Sequence, residues 1–135
     1  MSHADTVQQI YKAFGRGDIP AILARLSDDV EWEYGVTSTD VPWLQPRRGR
    51  AAVPEFFQAL QAIDFHTFRP KAVLEQGAVV VALIDLEATV RATGVRLVED
   101  DEVHIWHFDD TGRVVRFRHR ADTHLQWTAF HGAST

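Results

Sequence analysis

Glu102-Val-His-Ile-Trp-His-Phe-Asp-Asp-Thr-Gly-Arg-Val-Val-Arg-Phe-Arg-His-Arg-Ala-Asp122 is the stretch that decides the fold. Asp109-Asp-Thr-Gly112 is a turn signal, and the segments on either side alternate in chemistry, as the strands of a β-hairpin do. On the second segment Arg116, Arg118 and Arg120 share one face, and Val115, Phe117, His119 and Ala121 share the other. On the first, His104, Trp106 and Phe108 lie opposite Val103, Ile105 and His107. His119 therefore falls on an apolar face, where a titratable group needs either a hydrogen-bond partner or a function.

Outward from this hairpin the period of two extends back to Phe65. Strands are expected at about 65–75, 78–92, 95–108 and 113–122, separated by turn signals at Gln76-Gly77, Thr93-Gly94 and Asp110-Thr-Gly112. Upstream the period is helical. Val7, Ile10, Tyr11 and Phe14 mark one helix, ended by Gly15 and Gly17. Asp18 caps a second that carries Ile19, Ile22, Leu23 and Leu26, with Pro20 in its first turn. A third, Ala51 to Ile63, buries Val53, Phe56, Phe57, Leu60 and Ile63. Val30 to Tyr34 reads as a short strand and 35–49 as a loop. Helices first and a long meander afterwards predict one α+β domain over residues 1–135, with a curved antiparallel sheet wrapped around three N-terminal helices. The sheet's second face is apolar enough to seek a partner, so a homodimer through that outer face is expected.

The 135 residues are 45% apolar, enough for one real core, and carry a formal charge of −5. That balance offers no footprint for nucleic acid or an anionic membrane, and Arg47-Arg48-Gly-Arg50 is too short to reverse it. There is no cysteine, hence no disulfide or thiolate chemistry. No apolar run reaches membrane-spanning length, and a cytoplasmic protein is expected.

Hairpin geometry gives a first register. A four-residue loop at Asp109–Gly112 sets Phe108 against Arg113, His104 against Phe117 and Glu102 against His119. A two-residue loop at Thr93-Gly94 sets Asp85 against Glu102. Asp85, Glu102 and His119 then lie side by side with His104 and Trp106, which suits acid–base work: crowded carboxylates raise one pKa and stabilise an imidazolium. The alternative is a cross-strand ion-pair ladder near the rim, and a one-residue slip would move Asp85 to the other face. His104 and His107 fall on opposite faces, as do His119 and Asp122, so no metal site is expected. No phosphate loop or nucleophile elbow is present, and no cofactor is expected. Trp106, Phe108 and Phe117 serve as core or pocket lining, and Trp32 and Tyr34 as core or as a pocket closure. Ile10, Phe14 and Phe57 complete the expected lining.

Three segments carry a family resemblance. Tyr11-Lys-Ala-Phe14, Gly17-Asp18 and Leu26-Ser-Asp-Asp-Val-Glu-Trp32 form the first, Gly49 to Phe57 the second, and Asp110 to Thr123 the third. Together they resemble the SnoaL-like polyketide cyclase group of the nuclear transport factor 2-like superfamily. The resemblance implies a cone with a deep pocket, often in a homodimer. By it, the general-base position of ketosteroid isomerases falls at Tyr34, their oxyanion-hole tyrosine at Ile10 and their protonated aspartate at His104, which disfavours steroid isomerisation. It places His119 where limonene epoxide hydrolases and SnoaL-type cyclases keep an acid–base residue. The hydrolases' Arg-x-Asp pair is matched only by Asp85-Leu-Glu87; a histidine–carboxylate pair is closer to scytalone dehydratase. The expectation is a cofactor-independent isomerase, cyclase, hydrolase or dehydratase acting on a small hydrophobic oxygenated molecule. In it His119 transfers the proton, Asp85 or Glu102 orients it and His104 hydrogen-bonds the substrate. The alternative is a binding or dimerisation module of the same fold.

Overall fold

A computed structural model describes residues 1–35 and 39–132. The element order is α1 (His3–Gly15), α2 (Ile19–Leu23), β1 (Leu26–Trp32), β2 (Arg47–Arg48), α3 (Val53–Leu60), β3 (Ile63–Gln76), β4 (Val79–Val90), β5 (Arg96–Phe108), β6 (Val114–Arg120) and α4 (Thr123–His131). The six strands form one sheet in the order β2-β1-β6-β5-β4-β3, antiparallel except where β1 runs parallel to β6. Among the described residues no helix is long and apolar enough to cross a membrane.

Local chemistry accounts for most boundaries. Ser2 and Asp5 form a capping box at the start of α1, and Asp18 caps α2, accepting from the Ala21 N–H. Leu26 belongs to β1 rather than to the second helix, because Arg25 already closes a turn onto Ile22 and Leu26 is fully buried against the sheet core. The third helix is shorter than its apolar stripe, since Ile63 is already paired with Val90 in β3. The three expected helices are joined by a fourth, α4. Asp122 caps it through the Leu125 N–H, and Gly132 ends it in the left-handed region. Its apolar residues follow no helical stripe. It buries Gln126, Thr128 and Ala129 and leaves Trp127 41% exposed, so periodicity gives no sign of it.

The sheet's inner face is built by alternation. Val80, Ala82, Ile84, Leu86, Ala88 and Val90 of β4 are all buried, and the intervening residues are not. The expected registers are corrected in two different ways. Between β5 and β6 the loop is one residue longer, with Phe108 opposite Val114. A bulge adds another step, so His104 faces His119 and Trp106 faces Phe117. A shift of two keeps each side chain on its face. The bulge does change which valine points in: Val114 is buried, and Val115 only partly.

Between β4 and β5 the shift is two near the turn but one beyond a bulge at Asp100-Asp101, where Leu86 pairs with Glu99 and Ile84 with Glu102. Asp101 takes a left-handed φ of 62°, which aspartate tolerates better than most residues. The extra residue turns both Glu99 and Glu102 inward and leaves Asp85 outside. There Asp85 accepts from the Asp101 N–H at 3.1 Å and pairs with Lys71 at 2.8 Å and Arg69 at 3.2 Å, while Lys71 also reaches Asp101 at 2.6 Å. The Lys71 hydrogen bond, followed by the Asp101 N–H, holds the Asp85 carboxyl below its usual range. Asp85 is thus a brace for the bulge, not a neighbour of His119.

Two substitutions test this brace. Asp85→Ala should lower the urea midpoint of unfolding. Asp101→Gly should be tolerated, while Asp101→Val should cost about 1–2 kcal/mol, because a side chain branched at Cβ crowds its own backbone in the left-handed region.

Candidate functional site

Between the helices and the inner sheet face lies a cavity of about 90 Å³. On the order of six to nine waters would fill it, so it suits a single substituted ring. Its wall is largely aromatic, with Trp32, Phe56, Phe57, Phe65, Trp106 and Phe117 among its members, and Ile10 and Phe14 contribute from α1. Three titratable side chains reach it from adjacent strands: Glu102, His104 and His119.

His119 is held by a residue that sequence reasoning passed over. Glu33, fully buried, approaches His119 Nδ1 at 2.5 Å and also accepts the His119 backbone N–H at 3.2 Å. Glu33 follows the end of β1 with φ of 56°, and its own N–H still donates to the Phe117 carbonyl at 2.7 Å. That left-handed residue breaks the strand's alternation, so Trp32 and Glu33 are both buried. Tyr34 is thereby turned outward, where its hydroxyl bonds His107 Nε2 at 3.0 Å and its ring lies under Arg116 and Arg118. The expected place of Tyr34 in the pocket is corrected accordingly. Phe108 is buried but stacks on His3 away from the cavity.

With Nδ1 committed to Glu33, His119 Nε2 is left without a protein partner among the described residues, on a ring that borders the cavity. Burial opposes its positive charge. Glu33 outweighs that through attraction and a hydrogen bond, Glu102 and Glu99 add to it, and the His119 pKa is raised from 6.5 to about 9. At neutral pH it is an imidazolium.

His104 sits in a directional chain. Trp106 Nε1 can only donate, and reaches Tyr11 Oη at 3.1 Å. Tyr11 Oη–H donates to His104 Nδ1 at 2.7 Å, and His104 Nε2–H donates to Glu102 at 3.1 Å. Both nitrogens of His104 are occupied, so it orients Glu102 instead of meeting a substrate as expected. Burial, with the Glu102 charge nearby, pushes the Tyr11 hydroxyl well above its ordinary value. Burial also opposes the charge of Glu102, but the His104 hydrogen bond and the positive charge of His119 win and hold its pKa below 4.5. The chain continues through Gln126, whose amide donates to Glu99 at 2.6 Å and to Glu102 at 3.4 Å and whose carbonyl accepts Trp43 Nε1 at 2.8 Å. Burial and the repulsion of Glu102 raise the Glu99 pKa from 4.5 to about 7. Glu33, Tyr11, Trp43, Glu99 and Gln126 are site residues that the sequence reading missed. Only Tyr11 carried a signal, its place on the apolar stripe of α1.

Residues 7–117 match the SnoaL-like domain family. The chain belongs to that family. No curated protein sequence matches it. Among solved structures, this SnoaL-like domain is similar to a nuclear transport factor 2-like protein of unknown function from Burkholderia pseudomallei, at 28% identity and a TM-score of 0.79, over 96% of this chain and 98% of the other. It is similar to a nuclear transport factor 2-like protein from Burkholderia thailandensis, at 26% identity and a TM-score of 0.80, over 96% and 97%. TerC, crystallised with polyporic acid, shares the fold at 24% identity and a TM-score of 0.72, over 96% and 99%. The α+β cone expected from the sequence is thus the fold of this SnoaL-like domain.

The pKa directions predict a stability profile. A raised His119 pKa stabilises the fold fully below 6.5 and is lost as pH rises through 9; the raised Glu99 pKa acts likewise between 4.5 and 7. Thermal midpoints should therefore fall from pH 5 to pH 9, and Glu99→Gln should flatten the acid half of that decline. The His119 imidazole should titrate near 9 by NMR; a value at the ordinary 6.5 would refute the pairing with Glu33.

Proposed function

We propose that this SnoaL-like domain is an acid–base enzyme, acting without a cofactor on a small, largely apolar, oxygenated molecule of about one ring. The observation that carries the reading is His119, oriented on Nδ1 by buried Glu33 and bordering an aromatic cavity with Nε2 unpartnered. As an imidazolium with a pKa of about 9 it serves as the acid, not the base. Its Nε2–H hydrogen-bonds a substrate carbonyl and delivers its proton as an enol forms.

The base is Glu102, which faces the same cavity and is kept ionised by His104 and His119. A carboxylate held below its ordinary pKa is a weak base, so the carbon it deprotonates must be strongly activated, as between two carbonyls. The C–H proton passes to Glu102 while the oxygen gains the His119 proton. Return of the proton at another carbon gives an isomerase, and attack of the enol carbon on a second carbonyl gives a cyclase. TerC's co-crystallisation with an organic acid supports a small-molecule ligand for the fold.

A simple assay requires no prior substrate. Single-ring cyclic 1,3-dicarbonyl compounds in deuterated water should exchange their activated protons faster with the wild type than without it. His119→Asn and Glu102→Gln should each reduce that acceleration by about 10²–10⁴-fold. Saturable binding with no exchange, or exchange untouched by His119→Asn, would overturn the assignment in favour of a binding module.

The outer sheet face carries the expected homodimer as a second proposal. Val79, Val81, Leu83, Val103 and Ile105 form a half-buried apolar patch on neighbouring strands, with Leu74 60% exposed at its margin. Arg116, Arg118 and Arg120 flank it on β6, and Asp85 and Asp101 lie towards its other end. A second copy related by a twofold axis would cover the patch and bring opposite charges together. Light scattering should give twice the monomer mass, and Leu83→Asp should return it to the monomer.

A further inference from the structure

A second hollow, about 390 Å³, runs along the outside of the molecule between α1 and β3. It shares Tyr11, Phe14 and Phe68 with the inner cavity, so these side chains are the wall between the two spaces. Beyond them the groove is lined by Lys12, Pro70 and Val73. We infer that this groove is the outer half of the binding site, separated from the inner half by Phe68, and that it receives the acidic tail of a molecule whose ring occupies the aromatic cavity. The inference rests on the reading of the cavity as a ligand site, but not on the chemistry assigned to His119.

Phe68 is the member of the wall best placed to yield, because of the strand that carries it. Tyr11 is tied by its hydroxyl to His104 and Trp106. Phe14 is wedged from α1 against Phe57, Phe65 and Phe68. Phe68 also packs against the rings of Tyr11, Phe14, Phe65 and His104, but it has no polar tether, is only partly buried and is carried by a strand and not by a helix. It lies on β3, the last strand of the sheet, between two breaks in register at Phe65/Thr67 and Pro70/Ala72. A strand paired on one side only, interrupted twice within a few residues and carrying a proline, yields more readily than a central strand of the same sheet. Rotation of this one ring would join the two spaces.

The charge of the tail follows from Lys12. It is exposed at the groove, in the last turn of α1, and has no carboxylate partner among the described residues. A ring buried among aromatics, an apolar connection past Phe68 and a carboxylate at Lys12 together describe an aryl-alkanoic acid or a similarly elongated acid. A neutral compact molecule would use the inner half alone.

The test measures binding, not turnover. Phenylacetate, phenylbutyrate and phenylhexanoate, with their primary amides, are titrated by calorimetry against wild type, Lys12→Gln, Phe68→Ala, Phe68→Leu and Phe68→Trp. In the wild type, affinity should rise about threefold to fourfold for each methylene that enters the groove. The acid should outbind its amide by up to about fivefold for the longest member, a preference that Lys12→Gln removes. Phe68→Ala, or Phe68→Leu where Ala unfolds the domain, should tighten the long acids further, and Phe68→Trp should confine binding to phenylacetate. Affinity independent of tail length, equal binding of acids and amides, or no binding by any member would overturn the inference. Proton exchange without tail-length dependence would remove only this inference. Tail-length dependence without exchange would remove only the proposed chemistry.

Discussion

A buried charge must be answered nearby, and in this domain that requirement organises everything around the pair of Glu33 and His119. Neither side chain can be ionised alone in an aromatic interior; at 2.5 Å each supplies the other's counter-charge. The price is a left-handed Glu33, held by its N–H bond to Phe117 and by complete enclosure. Because Glu33 sits behind the imidazole and does not line the cavity, the pair presents its acidic end to the interior space and hides its basic end.

The remaining polar groups are arranged so that no carboxylate is isolated. An unbroken series runs from Trp106 through Tyr11, His104 and Glu102 to Gln126, Glu99 and Trp43, tying α1, the central strands and α4 into one unit. Its two ends are indole N–H groups, which donate and cannot accept, so the direction of every link near Glu102 is fixed. The cavity thus meets a protonated imidazole and an ionised carboxylate whose states are set by the scaffold before any ligand arrives.

The fold was legible in the chain because its main signals are local. Alternation in β4 and β5, the cap at Asp18 and the stripe Val7, Ile10, Tyr11 and Phe14 each depend only on near neighbours. His119, Glu102 and His104 were legible as a group because the β5–β6 register error was even, and an even error spares the face. Asp85 was misplaced because the β4–β5 error beyond Asp101 is odd. Glu33 was illegible for a related reason: a strict period of two puts it opposite Trp32, and only a backbone turn that the residue type does not announce brings it inside. Helix α4 escaped because it buries glutamine and threonine while exposing tryptophan, the reverse of an amphipathic pattern.

The bulge at Asp100-Asp101 gives β5 two phases. From Glu102 onward the even-numbered residues face inward; before it the odd-numbered residues Leu97 and Glu99 do so. The irregularity in this strand is therefore part of the site's chemistry. A chain of the same residues that ran through this point in regular alternation, without the bulge, would be a different protein inside. It would either carry Leu97 and Glu99 out to solvent and bring Arg96 and Val98 into the core, or invert the half that bears Glu102 and His104. A relative with one residue fewer between Glu99 and Glu102 would turn both carboxylates inward by plain alternation, with no left-handed residue and no need of the brace that Asp85 and Lys71 supply.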